Sequence, residues 1–124
     1  MKPVHTTLAP AAIGPYSQAI SANGVVYVSG QIPIDPATGD LIAGTIAEQT
    51  ARIAANIGAV LAEAGTDFEH VVKTTCFLTD LANFGEFNTE YAKHFVSNPA
   101  RECVQAGALP KGAQVEISVI AVLP

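Results

Sequence analysis

The residues best suited to chemistry lie near the C-terminal end of the chain. Arg101 and Cys103 belong to the run Pro99–Cys103, and Glu116 belongs to Leu109–Ile117; both runs are strand-like. Only 14% of all residues are Asp, Glu, Lys or Arg, so an arginine inside strand-like sequence needs an explanation. A guanidinium is permanently charged and presents a planar fork of donors that fits a carboxylate. If Arg101 is half-buried, we expect it to bind a small anion.

Strand alternation assigns these side chains to faces. Arg101 and Cys103 share a face of the first run, whereas Glu116 and Ser118 share a face of the last one. If the two runs pair as a hairpin, Arg101 and Glu116 lie near its open end and can meet. Two interpretations remain open at this point. One is a plain ion pair, which stabilises little when exposed; the other is an arginine that holds a substrate carboxylate beside a glutamate that handles water.

Cys103 and Tyr16 are further candidates for a site. A thiolate nucleophile needs a neighbouring base or a strongly positive setting, and no histidine lies near Cys103 in sequence. We therefore expect Cys103 to line a pocket, and Cys76, inside an apolar run, to lie in the core. Tyr16 follows Gly14-Pro15 and is either a pocket hydroxyl or a partly buried aromatic; the pattern favours neither.

Length and composition predict one soluble domain over residues 1–124. The chain is 49% hydrophobic and long enough to bury a substantial core. No run approaches the roughly 18 apolar residues that cross a bilayer, and the first residues lack the apolar region of a signal peptide. We expect a cytoplasmic protein without a membrane partner.

The charges argue against nucleic acid as a partner, and the spacing of histidines and cysteines argues against a metal site. The net charge is −5, and six basic residues are scattered from Lys2 to Lys111, so no basic face is available for phosphates. The three histidines and two cysteines show no metal-ligand spacing and no CxxC motif. We expect no metal site and no disulfide.

Periodicity and turn signals predict six strands and two helices. Strands are expected at Val4–Leu8, Tyr16–Ser21, Val25–Ser29, Val71–Leu78, Arg101–Ala106 and Gln114–Val122. Asn23-Gly24 is a hairpin turn signal, and Pro110–Gly112 is expected to turn the chain before the last strand. The order β-β-β-α-β-α-β-β indicates an α+β fold.

Both predicted helices are amphipathic. Thr45 and Glu48 form a capping box for the first, and Gly65 provides its stop. Its apolar stripe comprises Ile53, Ile57, Val60, Leu61 and Ala64. The second is expected from about Asn83 to about Phe95. Its apolar face consists of Phe84, Phe87, Tyr91 and Phe95.

The strands require more cover than two helices provide. Two helices can cover one face of a six-stranded sheet, yet Val71–Leu78 and Ile117–Leu123 are apolar on both faces. No other segment is long enough to cover the second face. A contiguous exposed apolar patch usually marks an interface, so we infer a homo-oligomer in which sheets pack on one another.

Several sequence blocks resemble the RidA (YjgF-type) reactive intermediate deaminases. The blocks are Ile13–Ala19 (IGPYSQA), Val26–Pro33 (VYVSGQIP), Val72–Asp80 (VKTTCFLTD), Pro99–Cys103 (PAREC), and Leu109–Gly112 (LPKG) followed by Val115–Ile117 (VEI). They cover essentially the whole chain in order. The resemblance implies a chorismate-mutase-like α+β domain, with a six-stranded mixed sheet, two helices on one face, and a trimer of packed sheets with ligand clefts between subunits.

The resemblance also implies an activity and a site. The activity is hydrolysis of enamine and imine intermediates, such as 2-iminopropanoate and 2-iminobutanoate, to 2-keto acids and ammonia, with no metal or cofactor. The family's carboxylate-binding arginine matches Arg101 and its glutamate, which activates water, matches Glu116. Its other pocket residues match Tyr16, Gly30, Asn88 and Cys103. Ser29 directly precedes Gly30 in the same block of sequence.

The sequence departs from the family pattern in two places. The segment before Arg101 is at least one residue shorter than usual, which bears on the rim of the cleft. Residues 105–108 have smaller side chains than usual, which bears on local packing.

Two other functions remain open. One alternative function is a non-catalytic carboxylate-binding or chaperone-like trimer. The other is a ribonuclease or translation inhibitor, against which the acidic composition argues.

Overall fold

Six strands form one mixed sheet in the order β1-β2-β3-β6-β4-β5 in the computed structural model, which describes residues 1–124. The strands are β1 (Lys2–Val4), β2 (Ala19–Ala22), β3 (Val25–Gln31), β4 (Val71–Leu78), β5 (Ala100–Gln105) and β6 (Val115–Val122). The helices are α1 (Ile46–Ala64) and α2 (Phe84–His94), and short 3-10 turns occupy Phe68–His70, Leu81–Asn83 and Pro110–Gly112. The predicted α+β class and element order are confirmed.

The first two strands lie elsewhere than the sequence predicts. The prediction of a strand at Val4–Leu8 is wrong, since β1 ends at Val4. The prediction at Tyr16–Ser21 overlaps β2 only from Ala19 onward. In both places backbone groups bind within a loop: Tyr16 N–H donates to Gly14 O at 2.9 Å, and Thr6 N–H donates to the Gln18 side chain at 2.7 Å.

Helix α1 has the boundaries that its capping residues predict. Thr45 Oγ1 accepts from Glu48 N–H at 3.1 Å, and Glu48 Oε1 accepts from Thr45 N–H at 2.9 Å. Gly65 ends the helix with φ 91°, a left-handed conformation that glycine adopts without strain. Within the predicted stripe all residues are buried except Ala64, which is partly buried.

Helix α2 presents the predicted aromatic face, and its N-terminus has no side-chain cap within the helix. Asn83 makes no side-chain cap bond, and Glu86 does not reach back to it. Glu86 Oε2 instead accepts from the backbone N–H of Ala47 in the first turn of α1, at 2.8 Å. The carboxylate of one helix therefore caps the other.

The hairpin between the last two strands does not form, so that conditional prediction is wrong. Strand β5 pairs in parallel with β4, while β6 lies between β3 and β4, antiparallel to both. Helix α2 crosses over between β4 and β5, and such a connection brings the second strand back parallel to the first. The apolar sequence of β6 suits this central position.

Both helices pack on one face of the sheet, as the resemblance implies. The core contains side chains of α1 and α2 together with the alternate residues Val115, Ile117, Val119 and Ala121 of β6. The opposite face carries Ile20, Tyr27, Phe77, Val104, Ile120 and Val122, all partly or largely exposed. Neither α1 nor α2 combines the length and the apolar composition of a membrane-spanning helix.

Candidate active site

A β-bulge in β3 lies beside the candidate site. Between Val28 and Gln31 the strand contains one residue more than the facing segment of β6, and the interval holds Ser29 and Gly30. A bulge bends a strand and releases backbone groups from the ladder. Ser29 N–H donates to Gln18 O at 3.0 Å, so Ser29 is tied to the chain before β2.

Gly30 allows the side chain of Glu116 to lie directly against the backbone of β3. A Cβ atom at Gly30 would collide with Glu116 Oε2 and lie 2.9 Å from Glu116 Cδ. Any larger residue would therefore displace the carboxylate. The structure brings these two residues, both selected from the sequence, into contact.

The carboxyl group of Glu116 has no charged partner. The side chain is half-buried, and the ion pairs of the protein involve other residues. Burial raises the pKa of Glu116 above the ordinary glutamate value, because desolvation disfavours the carboxylate. A carboxyl of this kind accepts a proton more readily than a solvated one and suits general base work.

A cleft of about 720 Å³ opens beside Glu116. Its walls include Ile13, Tyr16, Ser29, Gly30, Lys111 and Glu116. Tyr16 is 55% exposed, so it is a cleft residue rather than a core aromatic. Four residues expected at one site therefore line one cleft: the tyrosine, the serine, the glycine and the glutamate.

Gln18 holds the N-terminal wall of this cleft. Its side chain is buried; Oε1 accepts from Thr6 N–H at 2.7 Å, and Nε2 donates to Thr6 O at 3.0 Å and to Pro10 O at 2.8 Å. These bonds satisfy backbone groups of a loop that has no strand partner. Sequence reasoning missed Gln18. Its only signal is an amide side chain inside a run that the pattern predicts as a strand.

Arg101 lies in a second, aromatic-walled cleft of about 420 Å³, between β5 and α2. Its Nη1 donates to Asn88 Oδ1 at 2.7 Å. Its Cζ lies 4.7 Å from the ring centroid of Tyr91 and 5.4 Å from that of Phe84. The guanidinium therefore rests on ring faces, which attract cations, and the structure brings Arg101 and Asn88 together as expected.

Cys103 is a partly buried residue beside the core, and the structure does not place it in a cleft as expected. It packs against the core cluster and lines neither cleft. Burial raises the pKa of its thiol, and the nearby Arg101 charge only partly opposes that rise. Cys76, its neighbour on β4, is fully buried, and desolvation raises its pKa to about 12. Neither cysteine is set up as a nucleophile.

Arg101 and Glu116 do not meet within one chain. Arg101 pairs with Thr74, whose side chain is buried under the helices, so the arginine shares the helix-covered face. Glu116 pairs with Phe77 on the opposite face. The interpretation of these two residues as an ion pair within the chain is therefore wrong. One chain therefore presents two separate clefts, one lined by the arginine and one lined by the glutamate.

Two further cleft residues were not selected from the sequence. Tyr91 lies under Arg101, and the sequence predicts it only as part of the apolar face of α2. Lys111 lines the Glu116 cleft with φ 58°, and its position before Gly112 in a turn gave no sign of that. No group of three or more His, Cys, Asp or Glu side chains is placed to hold a metal ion.

The chain matches a known family over nearly its whole length. The model of the family described as Endoribonuclease L-PSP matches residues 6–123. Protein DfrA of Myxococcus xanthus is 49% identical over 98% of this chain and 95% of its own length. The 2-iminobutanoate/2-iminopropanoate deaminase of Mus musculus is 47% identical over 98% of this chain and 90% of its own.

The fold also matches solved structures closely. The crystal structure of E. coli TdcF with bound serine superposes with a TM-score of 0.94 at 38% identity, and all of both chains is covered. The similarity therefore extends to sequence and to backbone.

Proposed function

The chain belongs to the Endoribonuclease L-PSP family, also known as the YjgF/RidA family, and on that premise we propose that it hydrolyses enamine and imine intermediates to 2-keto acids and ammonia. Substrates of this class include 2-iminopropanoate and 2-iminobutanoate. The observation that carries the proposal is Glu116, a half-buried carboxyl with no partner, held against Gly30 in an open cleft. The name of the mouse relative supports it.

Arg101 would bind the substrate carboxylate. Asn88 occupies one Nη1 donor, which leaves the edge formed by Nε and Nη2 for a bidentate contact. A 2-imino acid carries its carboxylate next to the electrophilic carbon, so fixing the carboxylate also fixes that carbon. The backbone N–H of Gly30 or of Cys103 would add a donor, whereas the Cys103 side chain, which lines neither cleft, would take no part.

Glu116 would activate the water. As a carboxylate it accepts a proton from water while the oxygen attacks the protonated imine carbon, which gives a tetrahedral amino alcohol. Glu116 then returns the proton to nitrogen; the C–N bond breaks as ammonia leaves, and the hydroxyl proton is lost to form the keto group. Tyr16 serves as a hydrogen-bond partner and Ser29 and Gly30 line the cleft. An iminium carbon is already electrophilic, so these steps require no metal or organic cofactor.

The reaction would take place between subunits. Arg101 and Glu116 lie on opposite faces of one sheet, and the face that carries Glu116 also carries the uncovered apolar side chains. Packing that face on a neighbouring copy would cover it and bring one subunit's glutamate to another subunit's arginine. A homotrimer with clefts between subunits, as the family resemblance implies, provides this arrangement.

The family's description names an endoribonuclease, but the clefts favour small carboxylates. None of the three histidines lines either cleft, whereas ribonucleases usually rely on a pair of histidines for acid–base work. His70 is paired with Asp67 and His94 with Glu90 on the surface. A non-catalytic carboxylate-binding module, in contrast, would need Arg101 but would have no use for Glu116.

A coupled assay tests the proposal. A serine or threonine dehydratase generates the imine in place, and release of the 2-keto acid is timed with and without the protein. We expect acceleration by the wild type and a loss of at least about 100-fold in Arg101→Ala, because misplacing a reactant costs about that much. Arg52→Ala is the matched control: it removes the only other arginine, which binds Asn56 within α1.

The outcomes separate the candidate functions. Acceleration retained by Arg52→Ala and lost in Arg101→Ala supports the deaminase. Absence of acceleration by the wild type across several amino acid precursors rejects it, and carboxylate binding by the same protein would then identify a binding module.

A further inference from the structure

A buried pair of hydroxyl groups lies beneath Arg101, and the proposed reaction does not use this pair. Tyr91 Oη and Thr74 Oγ1 are 2.7 Å apart, and both residues are buried. Thr74 is the residue of β4 that pairs with Arg101 of β5, and the Tyr91 ring lies under the guanidinium. The hydrogen bond therefore connects the strand beside Arg101 to the ring that supports it.

The Tyr91 ring is held on several sides. It stacks on Phe95 at 4.2 Å between centroids, with 16° between the ring planes, and it contacts Phe87 at 5.5 Å. Burial raises the pKa of the Tyr91 hydroxyl, so the phenol stays neutral and the hydrogen bond to Thr74 persists across the physiological range. Packing fixes the ring laterally, and Thr74 is the polar partner that fixes its hydroxyl end.

Arg101 itself has little else to hold it. It is exposed on the edge strand β5, and its side chain is held by the hydrogen bond to Asn88 and by the rings of Tyr91 and Phe84. A free arginine loses considerable rotamer entropy when a ligand fixes it, and preorganising it removes that cost from binding. A ring face at 4.7 Å restricts the plane of the guanidinium, which is the plane that a bidentate carboxylate must share.

We propose that Tyr91 is a positioning residue for Arg101, and that its hydrogen bond to Thr74 holds the ring at the depth and tilt the guanidinium requires. The effect of Tyr91 on catalysis rests on the proposed imine hydrolysis. Its effect on the mobility of Arg101 does not. The pair touches no reacting atom. It acts on the affinity for a carboxylate rather than on the chemical step.

Two variants break the hydrogen bond with little change of shape. Thr74→Val replaces the hydroxyl by a methyl group, and Tyr91→Phe keeps the ring and removes its hydroxyl. Thr74→Ser keeps the hydroxyl and serves as the conservative rescue. Thr50→Val is the matched control, because Thr50 is a buried threonine whose hydroxyl donates to Ile46 O in α1, far from Arg101 in the chain.

The direct readout is the mobility of the arginine Nε–H group by 15N NMR relaxation. The chain has only two arginines, and Arg52, which is bonded to Asn56, is an internal reference. The second readout is the dissociation constant for 2-oxobutanoate, and the third is the split between KM and kcat in imine hydrolysis. We expect Thr74→Val and Tyr91→Phe to mobilise Arg101 Nε and to weaken 2-oxobutanoate binding about five- to tenfold, the worth of one hydrogen bond. KM should rise similarly with kcat nearly unchanged.

Each outcome decides the matter. Thr74→Ser should retain binding within about twofold of the wild type, since its hydroxyl persists. Unchanged Arg101 mobility and unchanged binding in both Thr74→Val and Tyr91→Phe would overturn the proposal, and so would an equal effect of Thr50→Val. If the variants mobilise Arg101 but the wild type hydrolyses no imine, the positioning role stands and the proposed function fails.

Discussion

Glu116 owes its chemical character to its immediate surroundings. The missing Cβ of Gly30 lets the carboxylate approach the backbone of β3, and no cation lies close enough to compensate for its desolvation. The same features that suit Glu116 to accept a proton also disfavour its charged form in the folded protein. The proposed role of Glu116 and the stability of the fold are therefore opposed at this residue.

This opposition predicts opposite pH effects on stability and activity. Because the pKa of Glu116 is raised in the folded state, its favourable contribution is present below the ordinary glutamate pKa and is lost as the pH rises through the raised value. Glu116→Gln mimics the protonated form. We expect it to raise Tm relative to wild type at pH 7 but not at pH 4, and to abolish imine hydrolysis, while wild-type activity rises with pH as Glu116 ionises.

Thermal unfolding at the two pH values, together with the coupled assay, measures both effects. Glu69→Gln is a matched control, since Glu69 is an exposed glutamate without a side-chain hydrogen bond. A lower Tm for Glu116→Gln at pH 7 would contradict the argument.

Residue types in the sequence identified most of the cleft, but not what supports it. Arg101 and Glu116 could be selected because charged residues are few in this apolar chain, whereas Tyr16 could be selected only through the family resemblance. Gln18 and Tyr91 could not, because their roles depend on which loop or strand lies across from them. A buried amide and a core tyrosine look the same in sequence whether or not they hold a functional neighbour.

Elements set by local signals could be predicted, and elements set by pairing could not. The capping box at Thr45 and the glycine at Gly65 fix α1 within the chain itself, and β4 follows from its own apolar run. The position of β6 between β3 and β4 depends on contacts over long sequence separations. No local pattern distinguishes that arrangement from a hairpin of β5 and β6.

The contact of Glu86 with α1 is an interaction between elements that can be tested by stability. Glu86 accepts the N–H of Ala47, one of the donors that an isolated helix leaves unsatisfied, and its charge lies near the positive end of the α1 dipole. We expect Glu86→Ala to lower the free energy of unfolding by about 0.5 to 1 kcal/mol. Urea denaturation at pH 7 measures the change.

Glu86→Gln is the matched variant for this contact. It keeps an acceptor oxygen and loses the charge, so we expect it to retain part of the stability. If Glu86→Ala unfolds at the same urea concentration as the wild type, the contact does not stabilise the pairing of the two helices.

At the scale of the whole molecule, the arginine and the glutamate lie on opposite faces of the sheet. One chain provides Arg101 with Asn88 on the helix-covered face and Glu116 with Gly30 on the other side. An isolated subunit thus carries both groups that the proposed imine hydrolysis would use, but it holds them on opposite faces of its sheet. The proposed oligomer resolves this, because a closed ring of identical subunits repeats the same contact between neighbours.

Mixing two inactive variants tests that arrangement directly. Arg101→Ala and Glu116→Gln, each inactive alone, are denatured, combined in equal amounts and refolded together. If each site takes its arginine from one subunit and its glutamate from the next, about one interface in four joins two intact halves, and about a quarter of wild-type activity returns. If both groups of a site come from the same chain, no interface is restored and the mixture stays inactive. Mixing the two folded variants without denaturation should restore nothing until subunits exchange, so the time course of recovery also reports how fast the oligomer dissociates.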